Sequence, residues 1–264
     1  MKKDVGKVIS QERLAEDIYD LRVETPLAAK ARAGQFFMLY PKNAALLLPR
    51  PISVCELPEE NVARFVYRTV GQGTREFSAY RAGDTLSLTG PLGNGFPIGR
   101  EGMAAGESPV LFGGGIGIPP MLETAKAYVR KGIRPTIVVG YRDAAFFLYE
   151  ELRACGDTYA AAETGLGEAP PCTSGNVLDA VREKNISGDV FLACGPMPML
   201  RAIKAYAKER GIKTYLSLEE RMACGVGACL GCVCKTTGTD AHSFVRNARV
   251  CTEGPVFDAD DVEL

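Results

Sequence analysis

The chain has 264 residues, of which 46% are hydrophobic and 24% are charged, and its formal net charge is −1. This composition is typical of globular proteins and leaves room for two domains or more. The balanced charge and the lack of long basic runs provide no footprint for nucleic acid or an anionic membrane, so we expect neither as a partner.

The first twenty residues, "MKKDVGKVISQERLAEDIYD", alternate apolar with charged positions. They lack the uninterrupted apolar stretch of a signal peptide or spanning helix, so we expect a cytoplasmic protein. Thiols stay reduced in that compartment. The nine cysteines therefore indicate metal binding or redox chemistry rather than disulfides.

Residues 1–102 contain short segments rich in β-branched and aromatic residues, such as "GQFFMLYP", "NVARFVYRTVG" and "GDTLSLTGPLG". Glycine and proline separate these segments, which is the pattern of strands joined by turns. Many short strands in succession predict a small antiparallel β-barrel.

Residues 103–216 show a different pattern, because "PVLFGGGIGIPPMLETAKAYVRKG" is an apolar run, a glycine cluster and a helix opened by prolines. The apolar strand "PTIVVGY" follows, and strands and helices continue to alternate. This alternation predicts an α/β domain with a mostly parallel sheet. Residues 217–264 hold a cluster of cysteines and are expected to form a small β/loop domain.

A glycine cluster separates the predicted strand from its helix, at Gly113, Gly114, Gly115 and Gly117. Missing side chains there let a dinucleotide diphosphate approach backbone N–H groups and the helix N-terminus. The pattern departs from G-x-G-x-x-G because Pro120 takes the third position, so a simple connecting turn is the alternative. A second turn, Cys194, Gly195 and Pro196, follows a later strand and is expected to face the first across the sheet edge.

In "RPISV", Arg50 is a permanent cation that can hold a phosphate, and the Ser53 hydroxyl can hydrogen-bond a planar heterocycle. The alternative is structural, with Arg50 in a surface salt bridge and Ser53 at a strand end.

Cys224, Cys229 and Cys232 have the C-x4-C-x2-C spacing that plant-type ferredoxins use around a [2Fe–2S] cluster. Residues 233–251 are predicted to form a hairpin that returns Cys251 beside Cys232. We therefore expect Cys251 as the fourth ligand, with Cys234 as the alternative. A structural zinc site is the alternative for the whole set.

The order of "RPIS", "YRTVGQGT", "GPLGNGF", "GGGIGIPPM" and "CGPMPML" resembles the ferredoxin-reductase-like flavoproteins. The resemblance implies FAD on the barrel and a nicotinamide dinucleotide on the α/β domain. It also implies that Arg50 holds the FAD diphosphate and that Ser53 approaches the reactive flavin nitrogen. Ile52 stands where the family has an aromatic residue, so aliphatic packing must replace ring stacking. The matched positions on the barrel are Arg50, Pro51, Ile52, Ser53, Tyr67, Arg68, Thr69, Gly73 and Thr74.

The combination of "RPIS" with a cysteine-rich tail resembles the electron-transfer subunits of NAD-dependent dihydroorotate dehydrogenases, and "VCTEGPVF" resembles the segment with their last cluster ligand, here Cys251. This resemblance implies a separate FMN-containing catalytic subunit, with two copies of each chain. Electrons from dihydroorotate would pass through the cluster and FAD to NAD+. It further implies an apolar contact patch near the cluster, for which Met222, Val226 and Leu230 are candidates.

Several alternatives stay open. A subunit that links NAD(P)H to ferredoxin, sulfide chemistry or glutamate synthase has a similar domain order, and a zinc-stapled nucleotide-binding protein would lack redox chemistry. Arg142 could accommodate the 2′-phosphate of NADP. Glu219, Glu220 and Arg221 either face the flavin or form a solvated charge cluster. His242, the sole histidine, is expected in a solvated hairpin turn.

Overall fold

The computed structural model describes the chain in five stretches, residues 2–99, 108–143, 145–164, 171–239 and 244–264. Two seven-stranded sheets and one two-stranded sheet account for the strands of these stretches. The expected boundary at residues 102 and 103, the hairpin-turn residue Asp240 and His242 lie outside them.

The first sheet is antiparallel throughout and forms the predicted barrel. In space its strands follow the order β4-β3-β7-β1-β2-β6-β5, and β4 also packs against β6. Inward-facing residues such as Leu21, Phe37 and Phe65 fill its core, because alternate residues of a strand point to the same face. A short helix, α1 (Gln72–Ser78), precedes the last strand. The strands are β1 (Lys2–Ala15), β2 (Ile18–Glu24), β3 (Phe36–Tyr40), β4 (Arg50–Ser53), β5 (Glu56–Glu59), β6 (Val62–Arg68) and β7 (Thr85–Leu92).

The second sheet confirms the predicted α/β architecture, because its first six strands in chain order are parallel. These strands are β8 (Pro109–Gly114), β9 (Thr136–Tyr141), β10 (Asp157–Ala162), β11 (Cys172–Ser174), β12 (Val190–Cys194) and β13 (Lys213–Ser217). Helices α2 (Pro119–Val129) and α3 (Tyr149–Cys155) cover one face, and α4 (Val177–Glu183) and α5 (Met197–Arg210) cover the other.

The order of the parallel strands is β11-β10-β9-β8-β12-β13. The chain therefore builds outward from β8 in one direction and then returns to add β12 on the other side. Such a reversal opens a crevice at the carboxyl ends of the two central strands, which is where ligands bind in open α/β sheets. Here the crevice lies between Gly114 and Cys194.

The C-terminal segment contains the predicted hairpin, in which β14 (Val233–Lys235) pairs antiparallel with β15 (Asn247–Arg249). After the hairpin, β16 (Val256–Asp258) joins the second sheet antiparallel to β13. This strand is not among the elements predicted from the sequence. Through β16, the cysteine-containing segment is joined to the α/β sheet. On its other side, this segment packs against Phe36, Met38 and Leu92 of the barrel.

Candidate functional site

A cavity of about 940 Å³ lies where the barrel meets the α/β sheet. Ile116 and Pro120 of the glycine turn form part of its wall, and the chain from Ser217 to Met222 forms another part. The cavity therefore touches all three predicted parts of the protein. The predicted barrel residues that line it are Arg50, Pro51, Ile52, Ser53, Tyr67, Arg68 and Thr74. A depression of about 1000 Å³ at the amino edge of the sheet, beside Arg134 and Asp157, contains none of the predicted site residues.

Arg50 is positioned by its neighbours to face the cavity. Its Nη1 donates a hydrogen bond to the carbonyl oxygen of Leu48. Gly73 lies directly against the guanidinium, since a Cβ atom at that position would be 2.7 Å from Cζ of Arg50. None of the ion pairs within the described stretches involves Arg50. A guanidinium with free donors is suited to hold a diphosphate.

Three other predicted barrel residues use their polar atoms for structure. The Thr69 hydroxyl lies 2.8 Å from Oδ1 of Asp17, and Thr69 does not line the cavity. The Tyr67 hydroxyl accepts a hydrogen bond from Gln11 in the barrel core, and burial raises its pKa. The Thr74 hydroxyl caps the first turn of α1 by accepting from two backbone N–H groups at 3.0 and 3.2 Å. Tyr67 and Thr74 therefore shape the cavity more than they offer groups to a ligand, whereas Thr69 lies outside its wall.

The two predicted turns come together at the crevice of the second sheet, Gly113, Gly114, Gly115 and Gly117 in one and Cys194, Gly195 and Pro196 in the other. A Cβ atom on Gly117 would lie 2.4 Å from the Cys194 carbonyl oxygen, and one on Gly114 would lie 2.5 Å from the sulfur of Met199. The first turn thus needs glycine partly because the second turn packs against it. Gly115 has a φ of +52° and open space beside it, so it is free to face a ligand.

A small polar group lies where this crevice meets the cavity. The buried Cys194 thiol interacts with the Ser217 hydroxyl, and burial raises its pKa, as does the nearby Glu219 carboxylate. Glu219, Glu220 and Arg221 all line the cavity. Averaged over all its atoms, Glu219 is exposed at the cavity wall. Its carboxyl group is nevertheless surrounded closely by protein, and this desolvation raises the pKa of Glu219. The sequence left the position of these three residues open.

The cysteine loop directs backbone N–H groups at its sulfur atoms. The N–H groups of Val226 and Cys229 each lie 3.4 Å from Sγ of Cys224, and the N–H of Gly231 lies 3.4 Å from Sγ of Cys229. Hydrogen bonds from the Val226 and Cys229 N–H groups lower the pKa of Cys224 to about 6. The loop therefore favours thiolate, which is the form that binds metal.

Cys251 returns to the loop beside Cys232, as the predicted hairpin requires. The N–H of Gly227 lies 3.2 Å from Sγ of Cys251, and the N–H of Val250 donates to the Cys232 carbonyl oxygen. The thiols of Cys232 and Cys251 contact each other, and burial together with this contact raises the pKa of Cys251 to about 11. Cys234 instead packs among apolar residues, where burial raises its pKa.

The loop follows a conformation that few side chains accept. Gly225 and Gly227 have φ values of +68° and +79°, and Leu230 has a φ of +57°. Left-handed backbone at Leu230 is unfavourable for a residue with a Cβ atom.

The four thiols are arranged as two pairs, Cys224 with Cys229 and Cys232 with Cys251. No three cysteine, histidine, aspartate or glutamate side chains in the described stretches surround one ion position. A zinc site needs four ligands around a single point. A [2Fe–2S] cluster takes two thiolates on each iron, so the donor set and its pairing fit the cluster better.

Apolar side chains around this loop are exposed. Val226 and Leu230 in the loop and Val233 just after it expose 38%, 60% and 39% of their surface. Met222, the third predicted member of the patch, is instead half-buried and packs against the core.

In the described stretches no helix has the length and apolar character needed to cross a bilayer.

A barrel joined to a parallel sheet, with a shared cavity and a loop of paired thiolates, defines a ferredoxin-reductase-like electron-transfer protein with an added iron–sulfur segment. Residues 219–263 match the iron–sulfur cluster binding domain of dihydroorotate dehydrogenase B. The chain is 42% identical over 261 residues to the "dihydroorotate dehydrogenase B (NAD(+)), electron transfer subunit" of Listeria monocytogenes serotype 4a, with 98% of each chain covered. Its identity to the protein of the same name from Bacillus caldolyticus is 40%, with 97% of each chain covered.

One solved structure, that of an NADH-dependent reduced ferredoxin-NADP oxidoreductase, superimposes on 98% of this chain and 90% of its own with a TM-score of 0.84 and 26% identity. The chain belongs to the electron transfer subunits of dihydroorotate dehydrogenase B (NAD(+)). This membership confirms the predicted family, the ferredoxin-reductase-like fold, the electron-transfer function and the cofactor classes expected with it.

Proposed function

We propose that this chain carries electrons between a [2Fe–2S] cluster, FAD and NAD, with the cavity as the place where the three meet. The observation that carries the proposal is the cavity wall, to which Arg50 and Ser53, the glycine turn and the chain leading to Cys224 all contribute. A bound flavin exchanges a hydride with a nicotinamide and single electrons with an iron–sulfur cluster.

For FAD, Arg50 would hold the diphosphate through its free guanidinium donors, and Gly73 allows the close approach of that side chain. Ser53 would offer its hydroxyl to the flavin ring from the same strand, β4. Ile52 and the apolar residues 46–48 supply aliphatic contacts to the cavity where the wider family has an aromatic residue. The cavity volume lies at the upper end of the usual range for ligand sites, roughly 300–1,000 Å³.

For NAD, the crevice between β8 and β12 offers the open backbone at Gly115 and the N-terminus of α2 to a diphosphate. Cys194 lies at the inner end of the crevice and next to the cavity, where it would contact the nicotinamide. The neighbouring Glu219 would hold a proton at its carboxyl oxygen more readily than an ordinary glutamate, because desolvation raises its pKa.

For the cluster, Cys224, Cys229, Cys232 and Cys251 would be the ligands. Four backbone N–H groups already point at three of these sulfurs, at 3.2–3.4 Å. Such donors stabilise the negative charge of thiolates and sulfides.

The partner would be an FMN-containing catalytic subunit that oxidises dihydroorotate, with two copies of each chain in the complex. Val226 and Leu230 are both exposed in the loop that carries the thiolates, which supports a docking surface there, because exposed apolar patches commonly mark protein interfaces. Electrons would enter through the cluster and leave on NAD+.

A cytoplasmic location is part of the same proposal. All nine cysteines are free, and Cys229 is exposed. Exposed and unpaired thiols persist best in a reducing compartment.

A second candidate is a subunit that links NAD(P)H to ferredoxin, which the full-length likeness to the ferredoxin-NADP oxidoreductase structure favours. The first candidate would exchange electrons with a dihydroorotate-oxidising subunit and with NAD, whereas the second would exchange them with ferredoxin and NAD(P)H.

The deciding experiment is an anaerobic absorption spectrum of the purified chain with and without its co-purifying subunit. Flavin bands with broad iron–sulfur absorption, bleached by NADH and by dihydroorotate in the complex, are the expected result. Bleaching by NADPH and reduced ferredoxin instead would favour the second candidate. A colourless zinc-containing protein would contradict both.

A further inference from the structure

The segment "GPLGNGF", residues 90–96, is one of the motifs that suggested the family resemblance, but it does not line the cavity described above. Residues 90–92 end β7, and residues 93–96 form the turn after it, which lies against the chain that follows Cys251. Asn94 forms an isolated bridge with Pro255 at this contact. A turn of the barrel thus meets the segment that delivers the proposed fourth cluster ligand.

Asn94 contacts three consecutive carbonyl groups of that segment. Its Nδ2 donates to the Thr252 oxygen at 3.3 Å and to the Glu253 oxygen at 3.0 Å. Its backbone N–H donates to the Gly254 oxygen at 2.6 Å. An amide nitrogen with two N–H groups can satisfy two carbonyls at once, which neither a hydroxyl nor a carboxylate can do.

The turn that holds Asn94 is itself fixed to the barrel. Gln35 donates through Nε2 to the Gly93 carbonyl oxygen at 2.7 Å. Gly93 has a φ of +72°, and a Cβ atom there would lie 2.4 Å from Cδ of Pro255. The turn is therefore anchored to the barrel on one side and packed closely against the segment on the other, so a shift of the segment toward the barrel would disturb the turn.

We propose that Asn94 is a positioning residue for Cys251, acting through the Thr252–Gly254 carbonyls to hold the cluster at a fixed place relative to the barrel. This inference rests on the proposed cluster ligands. Asn94 does not touch the thiols. Its amide fixes the path of the chain just after Cys251. The position of this path is defined relative to the barrel, which also carries the residues proposed to bind the flavin.

The test compares three variants of the full chain. N94D keeps the side-chain shape but places an oxygen against two carbonyl oxygens, and N94A only removes the donors. N61D makes the same chemical change in the exposed turn between β5 and β6 and is the matched control. Iron, acid-labile sulfide and FAD are measured per chain, followed by the rate of cluster loss to a chelator and the cluster reduction potential.

We expect N94D to lose its cluster about tenfold faster than the unaltered chain, and N94A several-fold faster, since each lost hydrogen bond has a modest effect. FAD content stays at the level of the unaltered chain in both. The reduction potential shifts in the uncharged N94A variant as well as in N94D, because a displaced ligand changes the hydrogen bonds to sulfur. N61D retains the normal rate and potential.

Unchanged rates and potentials in N94D and N94A would overturn the inference. Loss of FAD together with the cluster would overturn it too, because it would mean that the residue supports the fold as a whole. If the unaltered chain itself holds no iron or labile sulfide, the proposed cluster fails and the inference fails with it, which is a separate result.

Discussion

The barrel has two interfaces with the rest of the chain, and they are built from different interactions. Toward α2 and α3, the interface contains buried charges. Arg64, which is 2% exposed, pairs with Asp20 and Glu56 of the barrel and with Glu151 of α3. Lys126 of α2 joins the same group through Glu56. Toward the cysteine loop, the interface contains apolar side chains of the barrel together with backbone carbonyls held by the Asn94 amide.

The difference matters because substitutions in the two interfaces are expected to affect the stability of the chain differently. Removing one member of a buried charge group leaves its partners charged and unpaired, which destabilises the whole fold. Removing a hydrogen bond to a carbonyl has a smaller effect that stays local. The charged interface therefore secures the cavity between barrel and sheet, while the carbonyl interface sets the finer position of the cysteine loop.

The largest expected effect is at the cysteine loop itself. C251S replaces a thiolate with a weak oxygen ligand at the end of the segment that Asn94 holds, so we expect iron and labile sulfide to fall to a small fraction of the normal content. FAD content is expected to be retained, because the barrel residues are untouched. Iron analysis and the visible spectrum measure both.

Cys234 provides the matched control, since it lies in the same hairpin and is packed among apolar residues. C234S is expected to keep its cluster. A normal cluster in C251S combined with loss in C234S would reverse the assignment of the fourth ligand.

The next effect is on the charged interface. R64M removes the cation that three carboxylates share, and we expect it to lower the free energy of unfolding by about 3–5 kcal/mol, as for other broken buried ion pairs. R153M removes an exposed partner of Glu150 and is expected to cost about 0–1 kcal/mol. Urea unfolding monitored by circular dichroism compares the two. Equal losses would show that burial of the Arg64 group contributes no stability.

A smaller effect is expected in the cavity between the interfaces. R50K retains the charge but loses the forked donors, so we expect FAD to bind more weakly by about 1.5–3 kcal/mol. The dissociation constant is measured by flavin release from the purified chain. R75K, at an exposed position on α1, is the control. If R50K binds FAD as tightly as the control, Arg50 does not hold the diphosphate.

Sequence patterns predicted much of this arrangement. The C-x4-C-x2-C spacing and the hairpin that returns Cys251 are local features, and local spacing was enough to place the cysteines together. The two turns at the sheet edge were placed together by the rule that ligands bind at the carboxyl ends of parallel strands. The motif "RPIS" likewise led to Arg50 at the cavity wall.

Long-range contacts were not predictable in the same way. Nothing in "GPVFD" indicates that β16 would pair with β13, because an edge strand of three residues carries almost no periodic signal. Arg64 and Glu151 are 87 positions apart, and each alone resembles an ordinary surface charge. Thr69 matched a family motif, yet its hydroxyl is used by Asp17, a contact that only the folded barrel creates.

The smallest expected effect is on the pH dependence of the unfolding free energy, which should depend on the charged interface and not on the Asn94 contact. Burial opposes the charge of Glu56, but hydrogen bonds from Lys126 and Arg64 outweigh it and lower the pKa of this carboxyl. A carboxyl whose pKa is lower in the folded chain stabilises the fold above the ordinary glutamate pKa, about 4.3, and this contribution is lost as pH falls through the folded value. We expect E56Q to flatten the fall in unfolding free energy between neutral and acidic pH, measured by urea unfolding across that range. N94A, which removes no charge, should keep the full slope, and an equally steep slope in E56Q would mean that the acid sensitivity arises elsewhere.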